Sequence, residues 1–195
     1  MGMVENTQEI LAAARAFTRS AQSLAFEDFW RTLRGASLIP ARNVFNPARA
    51  ARFIRDLVLM EAPHPGGEGM RIRIAGERYQ EIAGQSLGGV DHLEFLAPEY
   101  REGARMTGEL MASLPCGLWQ IAPLHNTRGY GQLIEVTAFP LGAGDDGIPL
   151  LLCHVGLMDI LVQGALPTTR GLALDTATQF RFLDIGAGVP ELTED

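Results

Sequence analysis

Hydrophobic positions along the chain follow two different periods, and each period predicts its own elements. From Met70 to Ile74 the sequence alternates strictly as Met70-Arg71-Ile72-Arg73-Ile74, which predicts a strand with the apolar residues on one face and the arginines on the other. The apolar run Leu57-Val58-Leu59-Met60 precedes it. The break at Pro63-His64-Pro65-Gly66-Gly67 joins the two runs as a hairpin with one wet face. Helical spacing dominates earlier, where Phe26, Phe29, Trp30 and Leu33 share a face of a helix beginning near Ser23 and stopped by Gly35. A thinner stripe of Ile10, Ala13, Ala14, Phe17 and Ala21 predicts a first helix starting at Asn6 or Thr7.

The remaining elements follow in order. Leu38 to Phe45 reads as an extended loop, and Asn46-Pro47 restarts a short helix, with the amide as cap and the proline in its first turn. Glu77 to Ala83 forms one or two helical turns ending at Gly84. A longer helix starts at Pro98, with Tyr100, Ala104, Thr107, Met111 and Leu114 on its buried side, Met106 and Leu110 beside them, and Pro115 ending it. Three strands come next: Cys116 to Leu124, Tyr130 to Leu141 and Ile148 to Asp159. In the second of these, Glu135 and Thr137 share a face, which turns Ile134 and Val136 toward the core. The third is apolar on both sides, as a central strand covered on both faces should be. Leu151, Cys153 and Val155 form its more apolar face, with His154 on the other. Arg181 to Asp184 is expected to dock and the end of the chain to be loose. Two strands, small helices, one longer helix and a three-strand meander make an α+β layout.

Composition narrows the class of function. A chain of 195 residues suits one domain with a real core. The net charge is −7 and every basic residue is Arg, with no basic cluster, which argues against nucleic acid or an anionic membrane as partner. Two cysteines, Cys116 and Cys153, fit a reduced cytoplasmic setting. No apolar run reaches the roughly 18 residues of a membrane span, and the acidic start lacks a signal peptide's basic region. A cytosolic location is expected.

Catalytic signatures are missing. Gly84-Gln85-Ser86-Leu87-Gly88 has the Gly-x-Ser-x-Gly spacing but is a turn after a short helix and not a strand-to-helix elbow, and there is no phosphate-cradling Gly-Lys-Ser/Thr loop or His-Glu-x-x-His pair, so no enzyme is expected. His92 is a candidate haem or metal ligand, but without clustered partners it reads first as a loop histidine. Cys153 and His154 are neighbours in a strand and point to opposite faces, so they cannot form one site unless His125 comes from a neighbouring strand. No haem, flavin or metal is expected as a cofactor.

The order of elements resembles a PAS domain, and more narrowly a PAS-like family of small bacterial proteins of uncharacterised function. The residues that carry the likeness are Leu38-Ile39-Pro40 with Arg42 and Pro47, the strand 57–61, the strand 70–76 ending in Ala75-Gly76, and the turn Gly84-Gln85-Ser86-Leu87-Gly88-Gly89. The likeness spans about Phe26 to Asp159. It implies a five-stranded antiparallel sheet of order 2-1-5-4-3 with helices on one face, a pocket between sheet and helices, and a role in sensing or protein interaction. It brings no catalytic residues, and fold alone does not settle function. The chain then divides into an N-terminal helical extension (1–24), a PAS-like domain (25–162) and a partly docked tail (163–195).

The candidate ligand-binding residues are Phe53, Tyr79, Met106, Met111, Trp119, Ile134 and His154, aromatic, Met and core positions suited to an apolar pocket. The expected function is a sensory module that binds a small apolar ligand and relays by contact with a protein partner. The alternative is an interaction or scaffold domain with a filled core. A homodimer through the N-terminal stripe is also expected, because an exposed apolar patch on a monomer would be unusual.

Overall fold

The computed structural model describes residues 17–64, 67, 69–126, 130–163 and 171–191. Among the described residues, three α-helices, α1 (Ala21–Arg34), α2 (Glu77–Ala83) and α3 (Pro98–Ser113), accompany seven strands. These are β1 (Leu57–Glu61), β2 (Ile72–Ala75), β3 (Gly117–Asn126), β4 (Tyr130–Leu141), β5 (Leu150–Gln163), β6 (Leu172–Leu174) and β7 (Gln179–Leu183). They form one sheet of order β2-β1-β5-β4-β3-β6, and β7 also pairs with β3. The expected order 2-1-5-4-3 lies inside it, but the sheet has seven strands where five were expected. The extra two come from the tail, antiparallel to the outer edge of β3. β7 covers Gly117 to Ile121 and β6 covers Leu124 to Asn126, so both satisfy an edge that would otherwise be open.

Helices cover both faces of the sheet, not one. Phe26, Trp30 and Leu33 of α1 pack with Phe53, Leu57, Leu59, Phe139 and Leu152. Trp30 stacks on Phe139 with centroids 4.8 Å apart, and its Nε1 donates to the Pro140 carbonyl at 2.8 Å. Each of these fully buried side chains contributes about 1.5–3 kcal/mol relative to exposure. Ser20 caps α1 by accepting from the Ser23 N–H, and Gly35 ends it at a positive φ of 56°. The other face carries Val58, Met60, Leu118, Ala122, Ile134, Ala138, Leu151 and Cys153 under α2 and α3, packed with Tyr79 and Met111.

Of the wet face predicted for the hairpin, Arg71 and Arg73 are exposed as expected, but β1 adds nothing to it. β1 is buried along its whole length. Across from it, Leu59 pairs with Ile74 but Met60 pairs with Ile72, leaving Arg73 as one extra residue on β2. This bulge reverses the pleat. Ile72 joins the core under α2 and α3, whereas Ile74 packs on the α1 side. The bulged Arg73 turns outward to Glu61 and Asp146, 2.6 Å from each.

Glu135 and Thr137 do share a face, as expected, yet that face is as buried as the other. Their polar groups are satisfied under α1. The Thr137 and Ser23 hydroxyls lie 2.6 Å apart, and Glu135 accepts from Ser20 and from Trp119 Nε1.

The predicted first helix lies outside the described residues, except that Phe17 and Ala21 of its stripe are described. Phe17 packs with Trp119, Ile121, Leu133 and Val162 of its own sheet, and its carbonyl accepts from Gln179 Nε2 at 3.1 Å. No helix among the described residues is long and apolar enough to cross a membrane.

Candidate functional site

A cavity of about 470 Å³ opens between the sheet and the α2–α3 side. Strand register builds its floor. Val58, Cys153, Ala138 and Leu118 form one row across β1, β5, β4 and β3, and Val155, Val136 and Gln120 form the next. Ile134 and Ala122 continue the floor toward the far end of β3 and β4. The roof is α3, which presents Gly103, Ala104, Thr107, Gly108 and Met111. Small residues on both surfaces leave the space open: Ala122 and Ala138 below, Gly103, Ala104 and Gly108 above. Gly108 also sets the height of the roof, because a Cβ there would lie 2.6 Å from the Pro63 ring and 3.2 Å from Met70 Cε.

Two further walls close the space. Tyr79 enters from α2 and His92 from the short 3₁₀ turn His92–Phe95, which Asp91 caps by accepting from the Leu93 N–H. The tail contributes Leu174, Asp175, Thr176, Ala177 and Phe180, from β6, β7 and the turn between them. The parallel bridge between Leu96 and Leu174 ties this wall to the chain leading into α3.

Most of the lining is apolar, and burial holds Tyr79, His92 and Cys153 uncharged. Burial raises the Tyr79 hydroxyl well above the usual phenol range, with the nearby Cys153 adding to the effect. Burial pushes His92 down to about 4, against the opposing pull of Asp91, so the imidazole is neutral at physiological pH. Its Nδ1 is buried without a hydrogen-bond partner. Burial likewise pushes the Cys153 thiol up to about 12, which leaves it protonated and a poor nucleophile. Two carboxylates, Glu99 and Asp175, complete the lining, and among the described residues no arginine contributes to it.

Three of the seven residues expected to bind a ligand line this cavity: Tyr79, Met111 and Ile134. Phe53 and His154 lie on the opposite face of the sheet, their rings 5.7 Å apart beneath α1. His154 is there because it adjoins Cys153 in β5, and consecutive strand residues face opposite ways. Trp119 is on that face for the same reason, one place from Leu118 and Gln120. Met106 is 52% exposed, on the outer side of α3. Tyr100, Ala104, Thr107 and Met111 of the expected inner face do line the cavity, although Tyr100 is 39% exposed and Leu110, expected beside them, is exposed as well. Gly103, Ala104 and Gly108 share that inner face with Met111.

The sequence reading did not place Gln120, Cys153 or the tail residues at the site, and His92 entered it only as a possible metal ligand. Parity could have supplied Gln120, since Trp119 and Gln120 must diverge. Nothing in the tail's pattern marks Phe180 as a cavity wall. Among the described residues no group of three or more His, Cys, Asp or Glu is placed to hold a metal ion.

A family model described as a PAS domain matches residues 18–141. The match ends before β5, so the central strand of the cavity floor and the tail wall both lie beyond it. No curated protein matches the chain.

Proposed function

This chain belongs to the PAS domain family, and from that premise we propose that it is a sensory module whose signal is a small apolar molecule held between the sheet and α3. Sensing or signalling is what the family suggests in general. The finer reading rests on one observation, the apolar cavity of about 470 Å³ on the sheet face under α2 and α3. Its size falls within the range of small-molecule sites, and its few polar groups are the kind that orient a ligand. The filled core required by a pure scaffold has less support. The neutral thiol of Cys153 and the neutral His92 favour binding over catalysis.

Relay would run through the strands themselves. Alternate residues of β4 and β5 touch the cavity and α1, as with Val136 and Thr137, so a shift of the floor is felt by the helix beneath it. Relay by protein contact includes, in this reading, a homodimer through the N-terminal segment. Phe17 is already occupied by its own sheet, which leaves Ile10, Ala13 and Ala14 for that contact. Light scattering would give a dimer for the native chain and a monomer for Ile10→Glu; a native monomer at tens of micromolar would remove the dimer from the proposal.

Native mass spectrometry of gently purified protein tests the ligand reading. A retained non-covalent mass is expected, and Ala104→Phe, which fills the roof side of the cavity, should lose it. Absence of any added mass, together with no benzene binding to the native chain, would sink the reading.

A further inference from the structure

We propose that the cavity selects an uncharged, largely apolar molecule bearing one hydrogen-bonding oxygen, an alcohol or ketone, seated against the Tyr79 hydroxyl, and that it discriminates against carboxylates. The inference rests on the sensory reading above and names the chemical class of the molecule sensed.

The first support is Tyr79 itself. It is only 4% exposed, yet it lines the cavity, and none of the hydrogen bonds among the described residues involves its hydroxyl. The hydroxyl is not one of the buried unpaired polar atoms, so it keeps open surface at the cavity wall, where it can donate to a ligand's oxygen. His92 also lines the cavity, and its buried Nδ1 lacks a partner.

Charge supplies the second support. The basic residues are all Arg, and none of the described ones lines the cavity, whereas Glu99 and Asp175 do. An anionic head would therefore meet two like charges and no compensating cation. A cationic head fares no better deep inside, where the apolar surroundings penalise charge of either sign. Glu99 is exposed and Asp175 only partly buried, so they bear on the entrance more than on the interior. What remains is a neutral molecule with an apolar body and a single polar atom.

Titration calorimetry of the full chain with octanol, octanoate and octylamine at neutral pH tests this, with benzene as a neutral control for the cavity. Octanol should bind at least about tenfold more tightly than octanoate or octylamine. Tyr79→Phe keeps the ring and removes only the hydroxyl, so it should weaken octanol about five- to tenfold while leaving benzene binding unchanged. Octanoate or octylamine matching octanol would overturn the proposed class, as would octanol binding indifferent to Tyr79→Phe, and in both cases the cavity reading would stand. Failure of benzene and all three amphiphiles to bind would overturn the cavity reading and this inference with it.

Discussion

Ser20 and Glu135, 115 positions apart in the chain, are joined twice: the Ser20 N–H donates to Glu135 Oε1 at 2.9 Å, and its hydroxyl donates to Oε2. The same hydroxyl oxygen accepts from the Ser23 N–H and so caps α1. One residue therefore starts the helix and fastens its first turn to β4. Glu135 is 5% exposed and has no arginine partner among the described residues, and its oxygens accept from these donors and from Trp119 Nε1 at 2.7 Å.

Breaking this joint should destabilise the fold from either side. Ser20→Ala removes a cap and a donor and is expected to cost about 1–2 kcal/mol. Glu135→Ala strands the Trp119 and Ser20 donors and is expected to cost about 1–3 kcal/mol. Urea unfolding of both single variants and the double variant should show a coupling of at least about 0.5 kcal/mol. Additive losses would mean that the two residues act separately.

The joint also shows where the sequence was legible and where it was not. Local stereochemistry was plain: Gly84 ends α2 in a left-handed turn with φ 67°, and Asn46 caps the Ala48 N–H just as the Asn-Pro pair indicates. The apolar doubling of β5 correctly required cover on both faces. The identity of that cover was hidden, because Glu135 and Thr137 look like solvent residues until Ser20 and Ser23 arrive from over 110 positions away. Pattern also failed at Arg73. A bulge is one residue of register, and strict alternation in the sequence gives no sign of it. The cavity was hardest to see, since it is made by what Gly103, Ala104, Gly108 and Ala138 lack.

Acid should weaken the fold through two histidines. Burial lowers both, His92 to about 4, opposed by Asp91, and His154 downward against the pull of Asp56 and Glu135, with Arg78 assisting. Their unfolded value is 6.5, so below that pH the unfolded chain binds more protons than the folded one. Stability is therefore full above pH 6.5 and falls as the pH drops toward 4, by at most about 1.4 kcal/mol per pH unit for each histidine. Denaturant titrations across that window should show a shallower fall in His92→Asn and in His154→Leu than in the native chain. An unchanged slope in both variants would refute the assignment.

Thiol chemistry tests whether either cysteine is a nucleophile. Burial pushes Cys153 up to about 12 and Cys116 up to about 11, the latter with help from Asp184. Alkylation by iodoacetamide at neutral pH should be slow at both positions until the protein is unfolded. Rapid single-site labelling of Cys153 in the folded chain would reopen the question of catalysis.

Gly108 should prove intolerant of any side chain, out of proportion to its place in a helix. Alanine there would ordinarily favour the helix by about 1 kcal/mol. Here the added Cβ falls 2.6 Å from a ring carbon of Pro63, which is stiff and cannot move aside as a long side chain could. Either α3 lifts from the hairpin or the hairpin yields. Gly108→Ala is therefore expected to lower stability by about 1–3 kcal/mol. Gly103→Ala makes the control, since a Cβ at that position meets nothing within 4 Å. It should be neutral or slightly stabilising in thermal unfolding. Equal behaviour of the two variants would show that contact with Pro63 does not set the height of the roof.

The tail strands carry the last prediction, because they serve β3 and the cavity together. Ending the chain after Gln163 would uncover the β3 edge from Gly117 to Asn126 and remove Leu174, Ala177 and Phe180 from the cavity wall. An open edge that long invites pairing with another copy. The shortened chain should therefore self-associate in sedimentation at concentrations where the full chain does not change its state, and it should lose benzene binding. Phe180→Ala separates the two effects, since it keeps the backbone of β7 and trims only the wall. That variant is expected to retain the association state of the full chain but to bind benzene more weakly. Should the shortened chain keep both its association state and its benzene affinity, the tail would be an appendage to the sheet and not part of the site.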